Sequence, residues 1–224
     1  MLAGIQKSIN DVRGEGLTLH QLGSIDLDLD HFVEARSKIE CALNLYKGIS
    51  ARAEEQPAWH QLGSIDLLEK KFNLAEEKLQ RALAIARSLG DAGAEAAALN
   101  QLGRVAAQAG QSPLVSLAYL KSALDLRQRI GDATGEAQTF RRLGDLFSGI
   151  NQEQVAIRFL IVSYYLYGTL DETKYAEAVK QQALGIGCDN FDELATEIKQ
   201  EYLGDRGQRL LEVASGQLSA HITT

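Results

Sequence analysis

Proline is scarce in this chain, with two residues in 224 against about 5% in average usage. So few breakers leave long helices uninterrupted. Aromatic residues are also few, at 6%. The two cysteines, Cys41 and Cys188, lie far apart. They exclude a disulfide framework and show no metal-ligand spacing, so they read as reduced structural thiols. No apolar run approaches the ~18 residues of a membrane span. Basic residues do not dominate: 23 Lys and Arg stand against 30 Asp and Glu, for a net charge of −7. That balance argues against nonspecific nucleic-acid binding, which needs clustered cations. The opening Met1-Leu2-Ala3-Gly4-Ile5-Gln6-Lys7 lacks the basic-then-apolar layout of a signal peptide, so a cytoplasmic location is expected. There is no GxSxG, HExxH, phosphate loop or CxxC. No enzyme, cofactor or metal is therefore expected.

Ala, Leu, Gln, Glu and Arg are abundant instead, and all favour helix. The informative feature is repetition. The octapeptide His20-Gln21-Leu22-Gly23-Ser24-Ile25-Asp26-Leu27 recurs unchanged as His60 to Leu67. The theme returns as Asn100-Gln101-Leu102-Gly103 and, more loosely, as Arg141-Arg142-Leu143-Gly144. Self-similarity at a period of 40–41 residues marks a stacked repeat protein, which works through an extended surface.

Each repeat reads as two helices. In the second repeat the first helix spans about 56–70, Lys71-Phe72-Asn73 turns the chain, and a second helix spans about 74–89. Trp59, Leu62, Ile65 and Leu68 recur at helical spacing, not at a strand's period of two. Leu74, Leu79, Leu83 and Ala86 form a second stripe, with small Ala75 and Ala82 between. A glycine inside a helix costs about 1 kcal/mol against alanine, so Gly23, Gly63, Gly103 and Gly144 at one register call for a packing reason. Gly90 and Gly131 suit left-handed C-caps, and Asp91 and Asp132 then start the next helices. Asp11 falls in the same phase. Met1 to Asn10 therefore read as the tail of a second helix whose partner is missing.

The Leu-Gly pair, a small residue 13 positions on (Ala35, Ala75, Ala156), then Ile39, Leu79 or Leu160, then Ala42 or Ala82, resembles the tetratricopeptide repeat. The third repeat fits with one inserted residue, giving Ser116, Leu120 and Ala123, and the fourth has Ser163 in the last place. With units of 40–42 residues the chain is similar to the longer-repeat arrays of kinesin light chain and of bacterial signalling proteins. The resemblance implies an all-α fold, a right-handed α-solenoid of antiparallel helix pairs. It divides the chain into a partial repeat at 1–12, four repeats at about 13–51, 52–91, 92–132 and 133–170, a degenerate fifth repeat with a helical cap at 171–216, and a frayed tail at 217–224. Leu184-Gly185, 41 positions after Leu143-Gly144, marks the fifth repeat.

The resemblance also places the residues two before and two after each Leu-Gly leucine on a concave groove. These are His20 and Ser24, His60 and Ser64, Asn100 and Arg104, and Arg141 and Asp145. Residues four apart share a helix face. His20 and His60 are too far apart for a metal pair, at roughly the 10 Å of helix spacing, so they read as groove-lining imidazoles. Ser24, His20 and Asp26 belong to the repeat pattern and not to a catalytic triad, and Trp59 reads as core. The expected function is a non-enzymatic scaffold binding a protein or peptide partner, with an extended peptide or a helix in the groove. Two other readings stand beside it: a sensor array of a larger bacterial signalling protein, and a module that self-assembles through its open N-terminal end. No nucleic-acid or membrane partner is expected.

Overall fold

A computed structural model describes residues 2–222, with the side chains of 11–219. Among the described residues there are eleven helices and no strand. They are α1 Leu2–Asp28, α2 Phe32–Gly48, α3 Arg52–Leu68, α4 Phe72–Leu89, α5 Ala92–Gln108, α6 Pro113–Ile130, α7 Ala133–Gly149, α8 Glu153–Thr169, α9 Thr173–Gly185, α10 Phe191–Asp205 and α11 Gln208–Ile222. The chain forms two compact units, divided inside α5 after Val105.

Antiparallel pairs are the building block, as the repeats predict. In the first unit α1 packs on α2, α2 on α3, and α3 on α4. In the second unit α6 packs on α7, α7 on α8, and α8 on α9. The helices stop at a fixed device. The chain enters the left-handed region at Asp30, Ser50, Lys70, Gly90, Gly110, Gly131, Asn151 and Asp171. In each case the next residue's N–H reaches back five residues, as in Lys71 N–H to Asp66 O at 2.7 Å and Asp132 N–H to Arg127 O at 2.9 Å. This is the Schellman closure, which satisfies the last carbonyls of a helix. Only three of these eight sites carry glycine, so five were silent in the sequence. Asp91 and Asp132 cap the following helices as expected, accepting from Ala94 N–H and Gly135 N–H at 2.8 Å.

The glycine register has the predicted packing cause, inside each pair. A Cβ on Gly23 would meet Ile39 at 2.6 Å, one on Gly63 would meet Leu79 at 2.7 Å, and one on Gly144 would meet Leu160 at 2.7 Å. The small residues Ala35, Ala75 and Ala156 complete these crossings and are fully buried. The first unit's core gathers Ile39, Leu43, Tyr46, Leu62 and Ile65. The second unit's core is larger and more aromatic, with Phe140, Phe147 and Phe159 wholly buried. Each such side chain contributes about 1.5–3 kcal/mol over its exposed state.

Several expectations need correction. α1 runs unbroken from Leu2 through Asp11, so the 1–12 stub is continuous with the first helix. Asn10 does not close a helix as Gly90 does, and Asp11 caps nothing. Leu68 and Leu74, assigned to apolar stripes, are exposed, because each sits at a helix end beyond the pair's crossing. The turn falls at 69–71, two residues earlier than expected. The tail expected to fray continues α11 to Ile222, and Leu218 is buried with Leu211 and Ala214. Residues 223–224 lie outside the described residues. Leu184-Gly185 does not repeat the Leu-Gly crossing: Leu184 is exposed and nothing approaches Gly185. Ala183 is buried in its place, so the fifth helix-pair register starts 40 residues after the fourth, not 41.

Candidate functional site

The first helix of each pair carries the polar positions singled out above, and side-chain amides tie one pair to the next. His20 Nε2 meets Gln61 Oε1 at 2.7 Å, and Gln61 Nε2 donates to Ser24 Oγ at 2.8 Å. One glutamine thus bridges the two singled-out positions of the preceding repeat. Gln101 repeats the move, its Nε2 donating to Ser64 Oγ at 3.2 Å. In the second unit Arg141 Nε donates to Gln182 Oε1 at 3.3 Å, and Gln182 Nε2 donates to Asp145 Oδ1 at 2.6 Å. Ser24 and Ser64 complete their bonding to the carbonyls of His20 and His60, at 3.0 Å each. Gln182 was missed in the sequence because the Leu-Gly signal pointed one residue away. Its bridge to residues 37 and 41 positions earlier gives the true register.

The ladder holds these side chains in fixed directions while leaving most of them partly exposed. His20, Ser24, His60, Ser64 and Arg104 of the first unit are half-buried, and so are Arg141 and Asp145 of the second. Asn100 is buried. Burial pushes the His20 imidazole pKa below its ordinary value, opposed by its bond to Gln61. Burial likewise lowers that of His60, opposed by a hydrogen bond with the Ala97 backbone. His60 Nε2 and Gln101 Oε1 are buried and have no hydrogen-bond partner among the described residues. These are the same two atoms that join at 2.7 Å in the preceding pair as His20 and Gln61.

A second polar feature builds the frame under this face. Asp66 is fully buried between Arg36 Nη2 of α2, at 2.6 Å, and Lys78 of α4. Arg36 also reaches Glu69 at 2.5 Å. Trp59 is partly buried against the core, with Lys47 and Arg81 over its ring at 4.5 and 4.7 Å. Among the described residues no group of three or more His, Cys, Asp or Glu is placed to hold a metal, and no helix is long and apolar enough to cross a membrane. Cys41 is exposed and Cys188 buried, and neither is in a disulfide.

Residues 54–115 match the tetratricopeptide repeat family model. No curated protein matches the sequence. Among solved structures the chain is similar to the apo form of RapI, with a TM-score of 0.69, 10% identity, and 85% of this chain and 69% of that one covered. It is similar to a Rap protein complexed with competence and sporulation factor, with a TM-score of 0.59, 13% identity, and 96% and 70% of the two chains covered. It is also similar to a putative kinesin light chain of Podosopora anserina with nearly identical repeats, with a TM-score of 0.56, 15% identity, and 82% and 94% covered. At these identities the likeness is one of fold. Residues 54–115 thus match the tetratricopeptide repeat, and the chain shares the stacked helix-pair fold of these solved structures.

Proposed function

We propose that the protein is a non-enzymatic interaction scaffold that binds an extended peptide or a helix along the first helices of its pairs. On the first unit the binding residues are His20, Ser24, His60, Ser64, Asn100 and Arg104. On the second unit Arg141 and Asp145 present the equivalent positions. The observation that carries this reading is the glutamine ladder, which orients partly exposed donors and acceptors before any partner arrives. Side chains already held in place lose less freedom on binding. The Rap complex is a precedent for ligand binding by this fold.

The test is selection of peptides from a displayed library against the whole chain, followed by anisotropy titration of the enriched sequences. Changing His60 and Arg104 together to alanine is expected to weaken binding by about tenfold or more, which is about 1.4 kcal/mol, while circular dichroism shows the chain still folded. Enriched peptides that bind the folded double variant as tightly as the native chain would place recognition elsewhere and refute this assignment.

A further inference from the structure

The loops between helix pairs are flanked by two side chains in fixed register. The chain leaves each pair through a left-handed residue, at Ser50, Gly90, Gly131 and Asp171. Three positions before it stands a long polar side chain, and five positions after it a glutamate. These are Lys47 and Glu55, Arg87 and Glu95, and Gln128 and Glu136. Arg87 donates to Glu95 at 2.8 Å, and Gln128 to Glu136 at 2.7 Å. At the fourth link, inside the second unit, the same two positions hold Gly168 and Ala176. Neither can bridge, and a cavity of about 400 Å³ opens there, lined by both.

The rest of the lining is Tyr164, Tyr165 and Thr169 of α8 with Thr173 and Glu177 of α9. The volume is that of a ligand pocket. The tyrosines are half-buried and Glu177 is exposed. Glu177 accepts from Gln181 Nε2 at 2.7 Å, and among the described residues no cation pairs with it or lines the cavity. Lys180, one turn further along α9, is held by Asp192 at 2.8 Å. Lys199 of α10 stands over the Tyr165 ring at 5.2 Å, so this ring already attracts a cation, as aromatic faces do. A Cβ on Gly168 would meet nothing within 4 Å, so packing does not demand the glycine that leaves the space open.

We propose that this cavity receives an arginine side chain of a partner protein, which supplies from outside the arm that Arg87 and Gln128 supply from within. The guanidinium lies against Tyr164 and Tyr165 and meets the carboxylate of Glu177, one position beyond the register of the bridging glutamates. Arginine suits the site better than lysine, because a planar guanidinium stacks on a ring while its fork meets a carboxylate. The Thr169 and Thr173 hydroxyls can accept its remaining N–H groups. Arg141 and Asp145 do not line this cavity, so the two assignments stand or fall separately.

The probe is the blocked tripeptide acetyl-Gly-Arg-Gly-amide, titrated into the whole chain and followed by two-dimensional NMR. Saturable shifts at Gly168, Thr173 and Glu177 are expected. Binding weakens about fivefold or more in Glu177→Gln. It is lost in Gly168→Gln, which refills the cavity with the arm of the third link. Both positions are exposed, and circular dichroism checks that both variants stay folded. The same peptide with citrulline for arginine, alike in shape but uncharged, is expected not to bind. Shifts that persist in the folded Gly168→Gln chain, a citrulline peptide that binds equally well, or no shifts at the solubility limit of the peptide would each overturn the proposal. Tighter binding of free arginine than of the tripeptide would make the occupant a small molecule and overturn the partner assignment.

Discussion

At the residue scale, this fold turns on positions where only one side chain fits. Gly63 lies so close to α4 that an added Cβ would stand 2.7 Å from Leu79 and 3.3 Å from the Ala75 carbonyl. Alanine gains about 1 kcal/mol of helix propensity over glycine, but overpacking a tight core costs about 1–3 kcal/mol. Gly63→Ala is therefore expected to lower the urea midpoint. At Gly48, at the end of α2, an added Cβ would have nothing within 4 Å, so Gly48→Ala should hold or raise it. Equal effects at both sites would show that the Leu-Gly register is not a packing requirement. The same glycine in the same motif was visible in the sequence, but the helix it approaches was not.

At the element scale, neighbouring pairs are joined by a buried charge and by a ladder of amides. Asp66 is sealed between Arg36 and Lys78. Its removal takes the carboxylate from Lys78 and leaves Arg36 with Glu69 alone, and removing one partner of a buried pair costs up to about 3–5 kcal/mol. Asp26 occupies the same place in an identical octapeptide but keeps some solvent contact and one partner. Its loss should cost under about 1 kcal/mol, as for exposed pairs. Comparing thermal unfolding of Asp66→Ala and Asp26→Ala tests this, and equal losses would remove the preceding helix as the cause. The Schellman closures belong at this scale too. Gly90 and Gly131 announced themselves, whereas Asp30, Ser50, Lys70, Asn151 and Asp171 adopt the same left-handed conformation without glycine.

At the scale of the second unit as a folded body, the C-terminal helices are anchored through one buried carboxylate. Glu136 of α7, only 1% exposed, accepts from the Tyr202 hydroxyl at 2.9 Å, Arg206 at 2.5 Å and Gln128 at 2.7 Å. Burial, with the adjacent Glu136 carboxylate, pushes the Tyr202 phenol up to about 12. A phenol held protonated in the fold stabilises fully below its unfolded value of about 10. That contribution is lost as pH rises through the folded value. Stability should thus fall between about pH 10 and about 12, and Tyr202→Phe should flatten that part of the profile while lowering stability at neutral pH by about 1–3 kcal/mol. A variant with the native alkaline slope would show that Tyr202 does not govern it.

The sequence by itself determined the all-helical class, the pair-and-repeat architecture, the glycine register and the aspartate caps. Each rests on contacts within a turn or two of helix, or on a period that identical residues repeat. Tertiary structure alone decided three other things. It assigned Gln182 to the amide ladder in place of the expected Leu-Gly register. It extended α11 through the expected tail by burying Leu218. It also divided two identical octapeptides into a buried copy and an open one. The reason is common to all three: a side chain's environment is set by the helix packed against it, and that neighbour lies tens of residues away along the chain.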